Sequence, residues 1–275
     1  MTSASIVLYK TDIPMVSEVI HSFFRGKSSG RKLYLVDNSP TNELSSLADL
    51  YKGQIEYIFA NANLGYGKAH NIAIRKSIEG GYKYHVVLNP DLSFGDDTIT
   101  GLEKFMDENS DAGLCSPDIL DYYDGTRKRA LKLLPTPLNA FCRAFFFGSK
   151  FYKKIDDEYT LKFADYTKVL ESPYLSGCFM FFRNESLRKT GLFDENIFMY
   201  YEDTDISRRM YRNYRVCCVP YVSSKHIAEK ATHKSKKMFW ITVKSAIYYF
   251  NKYGWFIDAE RKKLNKEVLN KIPRI

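Results

Sequence analysis

In the first third of the chain, short runs of apolar residues alternate with stretches whose apolar positions recur at helical spacing. Each run is bounded by turn-forming residues and is too short for a buried helix, so it predicts a β-strand. The predicted strands are residues 6–9, 32–36, 55–59 and 84–88, and the predicted helices are residues 14–24, 44–51 and 69–79. Strands separated by helices are typical of βαβ units, so the pattern predicts a largely parallel sheet.

The pattern loses its regularity in the second half of the chain. Residues 122–172 mix basic and aromatic positions and predict an irregular segment. No stretch has the composition of a linker, so we expect both halves to share one core. After the irregular segment, the pattern predicts strands at 174–182 and 215–219, a short helix at 184–190 that ends at Gly191, longer helices at 203–214 and 238–252, and a basic helical tail.

The composition is that of a globular protein of 275 residues, with 45% hydrophobic and 27% charged residues. These fractions exclude a disordered, collagen-like or coiled-coil chain. No apolar run reaches the roughly 20 residues of a membrane-spanning helix, and the N-terminus lacks the basic stretch that opens a signal peptide. The five cysteines show neither metal-site nor disulfide spacing. We therefore expect a cytoplasmic protein in a reducing compartment.

The net charge of +9 is concentrated at one end of the chain. Residues 1–224 are neutral overall, whereas residues 225–275 contain 13 Lys or Arg and 4 Asp or Glu. Nucleic-acid enzymes usually spread basic charge around their site, so we expect no nucleic-acid partner. Interleaved aromatic residues there, and again in residues 138–154, favour contact with an anionic membrane surface. A solvated basic face, with aromatic residues packed in the core or at an oligomer contact, is the competing interpretation.

Polar residues follow the ends of three predicted strands: Asp37, the Asn/Gly loop 61–67, and Asn89-Pro90-Asp91. Ligands of open α/β sheets bind beyond the carboxyl ends of the strands. A carboxylate there can hold a divalent cation that neutralises a diphosphate. Glycines before a helix allow close backbone approach to an anionic ligand. Ordinary turns, and a plain loop leading into a helix, are the competing interpretations.

Glu202, Asp203 and Asp205 form an acidic cluster directly after the aromatic stretch 197–201. Burial would raise the pKa of one of these carboxylates and suit it to general-base catalysis. Capping of the predicted helix is the competing interpretation, because acidic residues are favoured in the first helical turn.

His226 lies just past a predicted strand, where a neutral imidazole could bind Mn²⁺ or a similar ion. His233 is a competing candidate, and a structural role is the alternative for either histidine. No Cys and His spacing fits a zinc site. The motifs of serine hydrolases, P-loop proteins and kinases are absent from the sequence.

Five motifs occur in one order: Val36-Asp37-Asn38-Ser39, Asn63-Leu64-Gly65-Tyr66-Gly67, Leu88-Asn89-Pro90-Asp91, Ser176-Gly177-Cys178, and a 191–205 stretch ending in Glu202-Asp203-Thr204-Asp205. With His226 after them, this set resembles inverting family 2 glycosyltransferases, particularly bacterial rhamnosyltransferase-like members. The resemblance spans about residues 3–260.

The resemblance implies an α/β GT-A fold, with a Rossmann-like, mostly parallel sheet flanked by helices. The GT-A domain would comprise residues 1–225, with a nucleotide-sugar half at about 1–120 and an acceptor half at about 121–225. Residues 226–275 would form a C-terminal helical basic extension packed on the same core.

The resemblance also assigns roles residue by residue. Asp203 would be the general base, and Asp91 with His226 would hold the metal. Asn89 stands where the family usually has its first Asp, and Cys178 replaces the more usual Ala. The implied nucleotide contacts are Asp37, Asn63, Gly65 and Asn89, and the implied acceptor contacts are Gly177, Glu202 and Asp205.

The activity implied is transfer of a sugar with inversion, dependent on Mn²⁺ or Mg²⁺. The donor would be dTDP-rhamnose, with a UDP-sugar as the alternative. The acceptor would be a glycan on polyprenyl diphosphate at the inner face of the cell membrane, in O-antigen or capsule synthesis. A homo-oligomer is left open. The competing hypotheses are a non-catalytic sugar-nucleotide or glycan-binding module and a nucleotidyltransferase, although the N-terminus lacks a Gly-rich basic loop.

Overall fold

The computed structural model describes residues 1–26, 29–145, 149–227 and 236–275. His233 and part of the 138–154 segment therefore lie outside the described residues. The helices are α1 (Ile13–Phe24), α2 (Tyr66–Glu79), α3 (Thr98–Glu108), α4 (Pro137–Phe145), α5 (Lys150–Tyr159), α6 (Asn184–Thr190), α7 (Glu202–Tyr211), α8 (Lys236–Tyr253) and α9 (Ala259–Lys271), with a 3₁₀ helix at Glu43–Tyr51. The strands are β1 (Thr2–Leu8), β2 (Arg31–Asp37), β3 (Ile55–Phe59), β4 (Tyr84–Leu88), β5 (Leu92–Phe94), β6 (Ala112–Asp121), β7 (Arg127–Lys128), β8 (Leu131–Lys132), β9 (Leu170–Glu171), β10 (Tyr174–Leu175), β11 (Phe179–Arg183) and β12 (Arg215–His226).

The main sheet runs in the order β3-β2-β1-β4-β11-β6-β12-β5, with β7 beside β6 and β9 beside β12. Along this path, β11 and β5 run against their neighbours, and the other strands are parallel to one another. The predicted mostly parallel α/β sheet is thus confirmed. The register pairs Leu8 with Asp37 and Ile6 with Leu88, so the ends of β2 and β4 meet at one edge.

The predicted strand at 174–182 is wrong in one respect, because the structure divides it into β10 and β11. The Gly177 N–H donates to Oδ2 of Asp203 (2.9 Å), and the Cys178 carbonyl accepts from the Asn89 N–H (2.9 Å). The Cys178 bond extends the β4–β11 pairing by one residue, and the Gly177 bond to a side chain marks the point where regular strand pairing is interrupted. The chain then pairs with β8 on one side of the break and with β4 and β6 on the other.

The prediction of an irregular segment at 122–172 is also wrong, because α4, α5 and three short strands lie there. Two local signals for helices are present. Pro137 is the first residue of α4, and the Ser149 hydroxyl caps α5 by accepting from the Tyr152 N–H. Elements β5, α3 and β6 occupy residues for which the sequence pattern gave no assignment.

One large hydrophobic core includes residues from both halves of the chain. It extends from Ala4 and Ile6 in β1 through Phe179 in β11 to Val268 and Ile272 at the C-terminus. The predicted boundary between residues 225 and 226 stays a prediction. None of the described helices is long and apolar enough to span a bilayer.

A buried arginine fastens the C-terminal helices to α7. The Arg208 guanidinium donates to both oxygens of Asp258 (2.7 Å each) and to Glu260 (2.6 Å), and it stacks 3.9 Å from the centre of the Tyr253 ring. Arg208 is 1% exposed. Asp258 also caps α9 by accepting from the Arg261 N–H. The basic C-terminal segment is therefore an integral part of the folded unit.

Candidate active site

Asp37 lies at the end of β2 and is fully buried. Its Oδ1 accepts from the Ser39 N–H (2.8 Å) and its Oδ2 from the Tyr57 hydroxyl (2.6 Å). Burial and the bond to Asp37 raise the pKa of Tyr57, so this hydroxyl keeps its proton. The carboxylate is therefore held rigid, and each oxygen keeps lone-pair capacity for a further donor.

The Asn/Gly loop is fixed against the segment that precedes the acidic cluster. Gly65 has φ +82°, and an added Cβ would lie 2.3 Å from the Phe198 carbonyl oxygen. The Tyr66 N–H donates to that same oxygen (2.8 Å), and exposed Asn63 accepts from the Gly65 N–H (3.1 Å). Glycine is required here by a contact within the protein. Asn63 remains accessible for a ligand.

The Tyr66 side chain joins two parts of the site, and the sequence reasoning gave it no role of its own. Its hydroxyl lies 3.0 Å from Oδ1 of Asn89 and 2.7 Å from the Gly177 carbonyl oxygen. Burial, together with nearby acidic groups, raises its pKa well above the ordinary range, so it acts as a hydrogen-bond donor. It thus connects the end of β4 to the loop between β10 and β11.

Asp91 and His226 meet because β12 pairs with β5, which places His226 opposite Leu92. Oδ1 of Asp91 lies 3.1 Å from Nε2 of His226, and Asn89 Nδ2 lies 3.5 Å from the same nitrogen. Burial opposes the imidazolium, but bonds to Asp91 and Cys178 outweigh it and raise the pKa of His226 to about 10.

The donor set of this pair fits a divalent cation. In the described structure, Oδ1 of Asp91 lies 3.1 Å from Nε2 of His226, so a carboxylate oxygen and an imidazole nitrogen stand side by side, and a bound cation would displace the imidazolium proton. Within the same part of the chain, no third His, Cys, Asp or Glu completes a cluster. A cation with two protein ligands would take its remaining ligands from water and substrate phosphates, as Mg²⁺ commonly does.

The acidic cluster begins α7 directly after two residues in the left-handed region. Tyr200 has φ +64° and Tyr201 has φ +69°. Such non-glycine conformations are uncommon and often occur at functional sites. Asp203 is partly exposed, with Oδ2 accepting from the Gly177 N–H (2.9 Å) and the Tyr174 hydroxyl (3.3 Å). Its Oδ1 accepts from the N–H of the next residue, Thr204 (2.8 Å); Asp203 thus lies in the first turn of α7, whose N-cap is Tyr201 and has no side-chain capping bond.

Glu202 and Asp205 occupy different surroundings. Glu202 is buried beside Asp203, and its Oε2 has no partner in the described structure. Burial first, and then the Asp203 charge, raise its pKa well above the usual range, which favours the neutral acid. Asp205 is fully buried, where it pairs with Arg209 (2.8 Å) and Lys252 (2.6 Å). We therefore assign Asp205 to the packing of α7 and α8 and not to acceptor contact.

A cavity of about 500 Å³ opens beside these acids, between α4, α8 and the start of α7. Glu202 and Asp203 lie in its wall, and Lys132 and Arg143 supply positive charge. Much of the remaining wall is aromatic or aliphatic, and the C-terminal helix α8 contributes a large share of it. The cavity can therefore receive a molecule with both polar and apolar parts.

Residues 3–191 match the family model described as Glycosyl transferase family 2, which is more than half of the chain. The chain belongs to glycosyltransferase family 2. Among curated proteins, it is 28% identical over 211 residues to the low-salt glycan biosynthesis hexosyltransferase Agl10 of Haloferax volcanii. The alignment covers 76% of this chain and 61% of that protein, so the chain spans less than two thirds of its relative.

Solved structures agree on the fold of this family 2 chain. S. aureus TarS 1–349 superposes with a TM-score of 0.59 at 15% identity, over 98% of this chain and 70% of that one. GalNAc-T7 with UDP, GalNAc and Mn²⁺ superposes with a TM-score of 0.63 at 15% identity, over 99% of this chain and 55% of that one. At these identities the likeness concerns the fold alone, and it confirms the predicted GT-A architecture.

The structure brings most of the family-implied residues into two adjoining groups. Asn89, Asp91 and His226 lie together at the sheet edge, and Gly177 contacts Asp203 at the cavity. The sequence reasoning missed Tyr66, Tyr174 and Lys132. Tyr66 belongs to the Asn63-Leu64-Gly65-Tyr66-Gly67 motif, and this membership was the signal for its role. The positions of Tyr174 and Lys132 depend on a small separate sheet whose pairing no local pattern predicted.

Proposed function

We propose that this family 2 member is an inverting glycosyltransferase that uses a nucleotide sugar and a divalent metal. One observation carries the proposal: the partly exposed Asp203 carboxylate borders a cavity and is held by Gly177, whose carbonyl is bonded through Tyr66 to Asn89 at the sheet edge. A short chain of hydrogen bonds thus joins the proposed base to the proposed nucleotide-binding edge of the sheet. We call this edge the nucleotide edge, and it comprises Asp37, Asn63, Gly65 and Asn89. A non-catalytic binding module would not require such a placement of a carboxylate.

In the proposed reaction, Asp203 accepts the proton of an acceptor hydroxyl while that oxygen forms a bond to C1 of the donor sugar. The bond between C1 and the diphosphate oxygen breaks on the opposite face, and the nucleoside diphosphate leaves with the electron pair. A single displacement of this kind inverts the anomeric centre. We propose that the nucleotide is bordered by Asp37, Asn63, Gly65 and Asn89. The acceptor would contact Gly177 and protonated Glu202.

Asp91 and His226 would hold the metal, which would neutralise charge developing on the leaving diphosphate. We expect chelation to abolish turnover. We also expect Asp91→Ala to weaken Mn²⁺-dependent binding of the nucleoside diphosphate by at least about tenfold, since even indirect supports of a metal commonly matter by that factor. Calorimetric titration with and without Mn²⁺ measures this. The exposed Asp97→Ala variant is the control, and full activity in chelator would show that the enzyme is metal-independent.

For the donor, we propose dTDP-rhamnose and retain a UDP-hexose as the second candidate. The second candidate has specific support, because the curated relative is named a hexosyltransferase and a structural neighbour was solved with UDP. A thermal-shift panel of nucleotide sugars with Mn²⁺ distinguishes them, since a ligand that binds the native state raises apparent stability. We further propose a role in surface polysaccharide synthesis, such as O-antigen or capsule.

We also propose peripheral binding to an anionic membrane at the cavity mouth. Phe141, Ile247 and Trp255 line the cavity and are 51%, 42% and 38% exposed. Phe256 is 88% exposed, and Lys262 and Lys263 are exposed nearby in the chain. Part of the basic aromatic tail has another role, because Tyr249 and Phe250 are core residues, Arg261 is buried, and Lys252 pairs with Asp194 and Asp205.

Vesicle co-sedimentation tests the membrane proposal. We expect binding to anionic vesicles at low salt, weaker binding at high salt, and a loss in Phe256→Ser, because both charge and exposed rings contribute at the interface. Tyr123→Ser is the matched control, since Tyr123 is 78% exposed on the β6–β7 loop. Equal, negligible sedimentation with anionic and neutral vesicles would refute the proposal.

A further inference from the structure

Tyr66 is bonded to the segments on both sides of Asp203. Its backbone N–H donates to the Phe198 carbonyl oxygen (2.8 Å), in the turn that leads into α7. Its hydroxyl lies 2.7 Å from the carbonyl oxygen of Gly177, whose N–H holds Oδ2 of Asp203 (2.9 Å). One residue at the start of α2 thus fixes both the backbone before Asp203 and the loop opposite its carboxylate.

The hydroxyl of Tyr66 has a single proton and two acceptors. Oδ1 of Asn89, on the nucleotide edge, lies 3.0 Å away, and the Gly177 carbonyl oxygen lies 2.7 Å away. A phenolic hydroxyl donates one hydrogen bond, so the two oxygens share this proton. A ligand that supplies a hydrogen-bond donor or a cation to Oδ1 of Asn89 occupies that acceptor, and the proton of Tyr66 then goes to Gly177 alone.

The ring of Tyr66 is packed so that the hydroxyl keeps this position. It stands edge-to-face against His70, with 4.4 Å between the ring centroids, and lies 6.4 Å from the ring of Phe193. Both neighbours are buried, and the backbone of Phe193 is held by two hydrogen bonds to the side chain of Asn71. Tyr66→Phe keeps this packing and removes only the hydroxyl, so the effect of the hydroxyl can be measured apart from that of the ring.

We propose that Tyr66 is a positioning residue for the base, and that binding of the metal–nucleotide complex at Asn89 directs the Tyr66 proton to Gly177. This bond fixes the loop whose Gly177 N–H orients the Asp203 carboxylate. The base is therefore aligned most firmly when the donor is bound. This inference rests on the proposed function and adds to it the residue that couples the nucleotide edge to the base.

Turnover and binding, measured separately, test the inference. The assay is release of nucleoside diphosphate from dTDP-rhamnose and from UDP-glucose, with Mn²⁺ and with water as the acceptor. We expect Tyr66→Phe to lower kcat about 10- to 100-fold, because small misplacements of a reacting group have effects of this size. The affinity for dTDP or UDP with Mn²⁺ should change little. In the Asp203→Asn background, Tyr66→Phe should cause no further loss, because residues that act as a unit are not additive.

A matched control and a measurement without turnover separate positioning from a structural role. Tyr84→Phe is the control, because its hydroxyl bonds Asp107 (2.6 Å) at the end of β4 remote from the site. It should lower stability and leave kcat unchanged. Amide hydrogen exchange followed by NMR is the second measurement. We expect UDP or dTDP with Mn²⁺ to slow exchange of the Gly177 amide in wild type but not in Tyr66→Phe.

Three results would overturn the inference. They are a normal kcat in Tyr66→Phe, an equally large loss from this substitution in the Asp203→Asn background, and Gly177 exchange that bound nucleotide leaves unchanged in wild type. Wild-type binding of UDP or dTDP with Mn²⁺ reports the proposed function independently. Its presence together with any of the three results would reject the role of Tyr66 alone, whereas its absence would reject the proposed function itself.

Discussion

The proposed nucleotide-binding edge of the sheet and the proposed acceptor cavity are built in different ways. The nucleotide edge consists of residues that directly follow parallel strands, and short hydrogen bonds such as those of Asp37 hold it rigid. The cavity is assembled from β8, α4, the start of α7 and α8, which lie far apart in the chain. The sheet determines the geometry of the nucleotide edge, and the packing of separate helices and strands determines that of the cavity. Substitutions in the C-terminal helices should therefore affect the cavity more than the nucleotide edge.

The largest effect should come from Asp203, the proposed base in the cavity wall. Asp203→Asn keeps shape and hydrogen bonding but removes the base, and we expect turnover to fall by about 10²–10⁴. Donor binding, a property of the other surface, should change little. Steady-state rates and nucleotide titration measure the two. Near-normal turnover in the variant would move the base to another group.

The next largest effect should come from the clamp between α7 and the C-terminal helices. Arg208→Met removes the two 2.7 Å hydrogen bonds to buried Asp258 and leaves Arg261, 3.8 Å away, as its remaining cation, which should lower the free energy of unfolding by about 3 kcal/mol. Urea denaturation measures this. Arg212→Met is the control, because its exposed pair with Glu260 should be worth less than about 1 kcal/mol. Similar losses of unfolding free energy in the two variants would show that the buried pair contributes no more to stability than the exposed pair.

The effect that is smallest at neutral pH concerns buried polar groups around β1. Ser5 joins His70 (2.7 Å) and His85 (2.8 Å). Burial lowers the pKa of His85 to about 3, and burial and His85 lower that of His70. The unfolded chain takes up protons near pH 6.5 while the folded chain does not. Stability is therefore complete above about pH 6.5 and falls with acidification, by about 1.4 kcal/mol per pH unit for each histidine.

Urea denaturation between pH 7.5 and pH 5 measures this loss. His85→Gln removes one titrating group and should make the decline with falling pH less steep, even if its stability at pH 7.5 is lower. His21→Gln is the control, since His21 is partly exposed on α1. An identical decline in wild type and His85→Gln would exclude His85 as a source of the acid sensitivity.

The contrast between the two surfaces also explains what the sequence could predict. Strand ends follow from local patterns, so Asp37 and Asp91 could be placed at one edge from periodicity and turn residues. His226 was a candidate from its place after a strand, and the resemblance joined it to Asp91 in one metal site; its approach to Asp91 depends on the β12–β5 pairing. Lys132 carries no local signal, and the predicted strand 174–182 includes Tyr174 but gives no sign of its pairing with β8, because β8 and β10 are two residues each and pair across a long separation. The pairing of Asp205 with Lys252 could not be predicted for the same reason, whereas Arg209 lies four residues further along α7, a spacing at which an ion pair is expected from sequence.

The contact between Gly65 and Phe198 has a consequence for exchanging parts between related enzymes. Because the Phe198 carbonyl occupies the space of a Gly65 side chain and accepts from the Tyr66 N–H, the 61–67 loop and the turn before Glu202 are a matched pair. A chimera that imports a loop from a homologue to change donor preference must import the residues around 198–201 as well. Otherwise the imported loop displaces the turn that precedes Asp203. A change intended to alter donor preference would then also impair reaction with the acceptor.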